Sequence, residues 1–427
     1  MSDRRVSSHK MISELFNTSK PLSVISSKFP MGVDTKYKPG KNLFIKMVVT
    51  FLSYILIFFN TNLIAEENDG KLRIGLLAPF SGDYKDLGTS LLLSTQLALE
   101  EIDDDNIIII PRDSGSDNKE KLNNAIKDII NNGAKIIIGP PTSSFASELE
   151  KYDDTIFISL SNKDPRILKN TINIGISLES QLNAIKNFLI KEKRTKTVIL
   201  YPKNEYEKFI DEKIKQLKLN DYEVFKYDPD PRILTGEIEK LTNYDQRKRN
   251  LESRKKVLEQ KDDSQSKREL EILERLYTLG SVNFDSLIII DFGNNLKSVL
   301  SSLIYTDVDD QSVLFTTVNQ WFDESIFREN SVKNLYFPSI NMRQFKSYNE
   351  NYYKTFDLRP DEITILAYDA LGLIYYVWKK NNGISSINNF FIKDKIRGKI
   401  GTFEFKDNKI RQELKIYKTD SGKFKEY

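Results

Sequence analysis

The stretch KLRIGLLAPFSGDYKDLGTSLLLSTQLALEEI, residues 71–102, constrains the fold more than any other part of the chain. An apolar run from Leu72 to Ala78 meets the turn residues Pro79, Ser81 and Gly82, and Leu91, Thr95, Ala98 and Ile102 then recur at helical spacing. This predicts strand, loop and helix, the opening unit of an α/β fold, whose loop lies where such folds bind ligands. Gly82 and Gly88 do not make GxGxxG, so the loop is not a dinucleotide cradle.

The alternation continues. NIIIIP (106–111), KIIIG (135–139) and TIFISL (155–160) read as buried strands, with an amphipathic helix over 119–133 and a short one over 143–153. Isoleucine runs bounded by turns suit a parallel sheet covered on both faces. A second set starts near residue 178: strands at 195–202, 222–227, 286–291 and 313–318, with helices over Tyr206–Leu219 and Leu296–Tyr305. LYFPSI (335–340) reads as a strand leading back to the first set. A helical region, Gln344–Lys380, is broken at Leu358–Pro360, and the chain closes in strands with turns at Asp407–Asn408 and Ser421–Gly422. Residues 236–278 are the exception: densely charged, with leucines at Leu251, Leu258, Leu270, Leu273 and Leu276 interrupted by KDDSQS. They predict an inserted helical hairpin, either a charged surface excursion or a partner-binding arm.

Charge and rare residues narrow the function. The formal charge is +3, but residues 1–65 carry a net +6, leaving the remainder near −3 and giving no electrostatic case for nucleic acid. Lys41 and Lys46 precede the apolar run MVVTFLSYILIFF at 47–59, and NTNLIA ends at Ala65. That layout predicts a secretory signal, with an uncleaved anchor over 47–64 as the alternative, and Met31 offers a second candidate start beside Met1. The chain has no cysteine, and its one histidine, His9, lies in this leader. Disulfides, a lipid-anchoring cysteine, thiolate metal sites and a Ser-His-Asp triad are thereby excluded from the rest. An enzyme would need paired carboxylates, and no spacing promises them. No cofactor and no catalysis are expected.

The loop PFSGDYKDLG followed by QLALEEI, the hydroxyl clusters in IIIGPPTSS and FISLSN, the late helix ILAYDALGLI, and the closing GKIGTFEFKDN and ELKIYKTDSGKFK together resemble the type I periplasmic binding proteins, the receptors for leucine, isoleucine, valine and related solutes. The resemblance runs from Lys71 to Tyr427. It implies a two-lobed fold with two doubly wound parallel sheets joined by three crossovers. Lobe one is then 71–176 plus 342–396, and lobe two 177–341 plus 397–427. A small polar or amino-acid-like ligand, captured in the interlobe cleft for an ABC transporter permease in the periplasm, is the function it implies. Hydroxyls at two loops would hold a carboxylate, implicating Ser143 with its neighbour Ser144, and Ser161; a helix amino-terminus near Ser143 suits an anion. Plain helix capping by Ser143 and a turn role for Ser161 are the alternatives. Ser81 and Leu87 stand in the first loop, Leu87 where the family often has an aromatic residue. Tyr206 matches a tyrosine of the second lobe, without the glycine that follows it in the family. The acid that meets an α-ammonium has no clear match; Asp291, Gln320, Trp321 and Asp323 stand near that region. A second branch, the penicillin-binding protein activators, resembles IYTDVDDQSVLFTTVNQWFDES and the region YFPSINMRQFKSYNENYYKTFDLRPDEITILAYDALGLIYYV. It implies a regulator that contacts a peptidoglycan synthase, although the chain lacks the lipid-anchoring cysteine and the separate amino-terminal helical repeat domain of that branch's best-known members.

Overall fold

The computed structural model describes residues 70–427, apart from 116–117, 143–145, 162–167, 309, 323–333, 407–408 and 421–422. The expected leader, Ser143, Ser144, Asp323 and the two closing turns lie outside the described residues. No helix among the described residues is long and apolar enough to cross a membrane.

Strand and helix alternate as the isoleucine runs require. The first set is β1 (Leu72–Ala78), α1 (Lys85–Ile102), β2 (Ile107–Asp113), α2 (Lys119–Asn131), β3 (Ile136–Ile138), the single turn α3 (Ala146–Leu149), β4 (Ile156–Ser159) and β5 (Thr171–Asn173). They form a sheet in the order β2-β1-β3-β4-β5, with β1, β3, β4 and β5 paired in parallel. α2 lays Leu122, Ile126 and Ile129 against Leu77 and Ile137 on one face. Gly75 permits that approach, because a Cβ there would stand 2.5 Å from Ile129 Cγ2. The other face is covered from later in the chain, by α10 (Met342–Phe356) and α11 (Ile365–Asn381) packing with α1. Their junction is hydroxyl-rich: Ser94 Oγ donates to Thr364 O at 2.6 Å, and Tyr348 OH donates to Ser94 Oγ at 2.9 Å. The break between α10 and α11 falls where Pro360 predicts it, with Asp357 in the left-handed region closing α10.

The second set is α4 (Leu178–Lys191), β6 (Thr197–Pro202), α5 (Glu207–Leu217), β7 (Tyr222–Tyr227), α6 (Pro231–Leu241), α7 (Tyr244–Glu259), α8 (Ser264–Leu273), β8 (Ser286–Ile289), α9 (Gly293–Tyr305), β9 (Leu314–Thr317) and β10 (Leu335–Ser339). Its parallel strands run β7-β6-β8-β9-β10, the order of the first sheet repeated. α6 and α9 bury Leu234, Ile238, Leu296 and Val299 on one face, and α4 and α5 bury Leu182, Ile185, Ile210 and Ile214 on the other. Both sheets are doubly wound, as the sequence implies.

Two boundaries differ from the sequence reading. The carboxyl-terminal strands do not all join the second sheet. β14 (Lys415–Asp420) and β15 (Lys423–Glu426) extend it antiparallel beyond β10, but β11 (Ile396–Gly398), β12 (Gly401–Lys406) and β13 (Lys409–Gln412) make an antiparallel sheet of their own. Asp369 on α11 holds that sheet, its carboxylate accepting from Lys399 N at 2.7 Å and Ile400 N at 2.8 Å. Gly398 is required there, since a Cβ would lie 2.3 Å from Asp369 Oδ2. The inserted hairpin is α7 and α8, so position 236 falls inside α6 rather than at its start. Asp230 caps α6, its side chain accepting from Arg232 N, and Pro231 opens the helix: a start signal that precedes the charged run.

Candidate functional site

The crossovers locate the cleft. β5 passes to α4 through residues 174–177, and β10 passes to α10 through 340–341. Both passages leave from the carboxyl ends of parallel strands, and a chain spans at most about 3.5 Å per residue. The carboxyl edges of the two sheets therefore lie beside one another. In each sheet the strand order reverses between its first and third strands, β1 and β3, β6 and β8, which is where open α/β sheets leave a crevice.

On the first edge, the loop after β1 is held by charge. Asp113 Oδ1 accepts from Phe80 N and from Gly115 N, each at 2.9 Å. Lys121, in the first turn of α2, reaches Asp113 at 2.6 Å and donates to Ser81 Oγ at 2.7 Å. Burial raises the Asp113 pKa, but Lys121, Ser81 and the Gly115 N–H outweigh it and hold the carboxyl below its ordinary value. Leu87 is half-buried beside Gly88, where a Cβ would stand 2.1 Å from Pro79 O, so the helix starts hard against the loop. Ser161, after β4, is buried, and its N–H donates to Ser159 Oγ at 3.3 Å.

On the second edge, two of the expected residues face inward. Asp291, after β8, is 6% exposed; it accepts from Tyr227 OH and, at 2.7 Å, from Phe292 N. Burial raises its pKa, and the bonds from Tyr227, Phe292 and Asn295 only partly offset this. Gln320 turns back onto the backbone, donating to Asp291 O at 3.0 Å and Val318 O at 3.2 Å. Tyr206 and Trp321 stand outward, at 36% exposure and half-buried respectively.

The sequence reading missed Tyr84 and Phe292, which share a signature with Tyr206. These three aromatics occupy the N-cap positions of α1, α9 and α5, and none makes a side-chain capping bond. By contrast Asn118, Ser177, Asp230, Asp263 and Asn341 cap their helices with side-chain oxygens. Tyr84 is 55% and Phe292 57% exposed. The N–H of Phe292 donates to Asp291 Oδ1 and that of Tyr206 to Asn204 Oδ1, and the exposed rings offer apolar faces. A readable signal existed at Phe292: an apolar residue after SLIIID, ahead of Gly293 and Asn294. Lys121, also missed, had none.

The fold is that shared by the two-lobed type I periplasmic binding proteins. Residues 71–217 match the family described as periplasmic binding protein. Solved structures share the fold across most of the chain. The branched-chain amino acid transporter substrate-binding protein LivJ of Streptococcus pneumoniae, in complex with isoleucine, is 16% identical with a TM-score of 0.52, covering 83% of this chain and 98% of its own. A putative branched-chain amino acid ABC transporter protein of Rhodospirillum rubrum is 11% identical with a TM-score of 0.64, covering 84% and 100%. The LpoA C-domain of Haemophilus influenzae, a regulator of PBP1A, is 14% identical with a TM-score of 0.56, covering 83% and 99%. No curated protein matches the sequence.

Proposed function

We propose that the protein is an exported, non-catalytic solute-binding protein, which captures a small amino-acid-like or other polar ligand between its lobes for an ABC transporter. The exposed aromatic residues at the facing sheet edges carry this reading. Tyr84 on one edge and Tyr206 and Phe292 on the other keep apolar surface in water at helix starts. Burying that surface on capture supplies affinity, at about 25 cal/mol per Å² removed from water. Lys121, paired with Asp113, donates to Ser81 Oγ and so fixes that hydroxyl at the first edge. Ser81, Leu87, Tyr206 and Trp321 then touch the solute. Asp291 and Gln320 support it from behind, and Ser143, Ser144 and Ser161 belong to the carboxylate side. Isothermal titration with L-leucine, L-isoleucine and benzoate tests this. A Tyr206→Ala, Phe292→Ala variant should bind the best of them at least about tenfold more weakly, a loss of about 1.4 kcal/mol or more. Unchanged affinity would remove those rings from the site.

One observation favours a regulator that contacts a peptidoglycan synthase. α7 and α8 carry a small core of their own, Leu251, Leu258 and Leu273, and expose Val257 and Ile272. An arm of that build suits protein contact. If the regulator reading is right, removing the distal hairpin weakens a synthase interaction; if the receptor reading is right, solute binding is unaffected.

A further inference from the structure

A chain of buried amides runs from the cleft wall to the crossovers. Asn319, two residues past β9 and 3% exposed, accepts at Oδ1 from Trp321 N (3.1 Å) and from Oγ of Ser339 (2.8 Å), the last residue of β10 before the second crossover. The Asn319 N–H donates to Gln181 Oε1 at 2.8 Å, and Gln181 Nε2 donates to Ile176 O in the first crossover at 3.0 Å. Gln412, the last residue of β13 before the passage to β14, completes the set. It donates from Nε2 to Ile174 O (3.1 Å) and Gly175 O (2.7 Å), and from its backbone N to Ser180 Oγ (3.2 Å). The three passages are thus bonded around one segment, 174–181, with Gln412 holding residues 174, 175 and 180 while Gln181, tied to Asn319, holds residue 176.

The residue at the cleft end of this network is strained. Trp321 and Phe322 both have left-handed φ, 52° and 60°, a backbone region that bulky side chains rarely occupy. Phe322 is anchored among Phe337, Phe345, Tyr417 and Phe424. Strain of this kind persists only where the surroundings over-determine it. Here the anchors are Phe322 on one side and Asn319 Oδ1 on the other. The network also keeps unspent capacity: Asn319 Nδ2 and Gln412 Oε1, both buried, have no hydrogen-bond partner among the described residues. A second lobe angle can use a free donor and a free acceptor that this one leaves idle.

We infer that Asn319, Gln181 and Gln412 are positioning residues, which set Trp321 in the cleft according to the angle between the lobes. This rests on the solute-binding reading for its purpose, since Trp321 would then meet the solute in a conformation that depends on closure. The relay itself can be tested without any solute. The chain has two tryptophans, so Trp378→Phe leaves Trp321 as the sole tryptophan fluorophore. In that background Gln412→Met, which keeps volume and removes the bonds to residues 174 and 175, should change acrylamide quenching of Trp321 by about 1.5-fold or more, the remote coupling a shared network permits. Asn319→Ala should change it further. A purely structural Gln412 would lower the thermal transition and leave Trp321 quenching untouched, and that result overturns the inference. Should Gln412→Met lose its cooperative transition, Ser180→Ala, which removes the acceptor of the Gln412 N–H, decides on the same readout. Failure of every solute to bind would count against the proposed function and leave this result standing.

Discussion

Asp369 shows how much one buried carboxyl can do. It sits wholly inside the protein, accepting two backbone N–H groups from the turn between β11 and β12. Burial pushes its pKa up to about 6 from an ordinary 3.8, against the pull of the Ile400 and Lys399 N–H groups and of the Lys399 ammonium. A carboxyl whose folded pKa is raised favours the native state most when protonated. Its contribution is full below about pH 4 and is lost as pH rises through about 6, a change of about 3 kcal/mol at 1.36 kcal/mol per unit. Thermal unfolding followed from pH 4 to 7.5 should therefore show Asp369→Asn losing less stability than wild type over that interval. Parallel curves would show that Asp369 does not titrate there. Nothing in the run ILAYDALGLI separates this acid from a surface residue, because its partners lie some thirty positions away on a turn.

The hairpin is the element whose extent the sequence obscured. Its charge suggested an excursion from 236 to 278, yet Ile238 belongs to the second lobe's core. The hairpin proper is anchored by Arg247, whose guanidinium donates to Thr242 O at 3.1 Å and to Thr306 O, the ends of α6 and α9. A cation there meets the negative ends of both helices. Replacing 250–275 by a short Gly/Ser linker should leave a cooperative transition, since loop closure costs little more for a long loop than a short one. Excising 236–278 should abolish the transition, because it removes Ile238 and Arg247 together. Arg247→Ala alone should destabilise by about 2–4 kcal/mol in urea unfolding, the worth of charge-assisted bonds to carbonyls left buried. An Arg247→Ala midpoint equal to wild type would mean that the hairpin is held by its leucines. Amphipathic periodicity found the helices; it could not find the anchor, because Arg247 reads as one more charge in a charged run.

At the scale of the molecule, the repeated strand order is what places a cleft between two carboxyl edges. That much was legible in the isoleucine runs and the loops after them, and so was the doubly wound character of both sheets. The cleft's lining was only partly legible. Ser81, Tyr206 and Trp321 follow strands at that edge, as spacing implies, but Asp291 and Gln320 spend their polar atoms on Tyr227, Phe292 and the local backbone. Which way a side chain turns at a strand end depends on partners from other strands, and those are set by topology rather than by spacing. The claim that most needs testing is that this cleft holds a solute. Native mass spectrometry of the protein purified from its own host measures that directly. Wild type should carry a small-molecule adduct that the Tyr206→Ala, Phe292→Ala variant loses. A bare protein mass for wild type, under conditions in which a solute-loaded binding protein keeps its adduct, would contradict it.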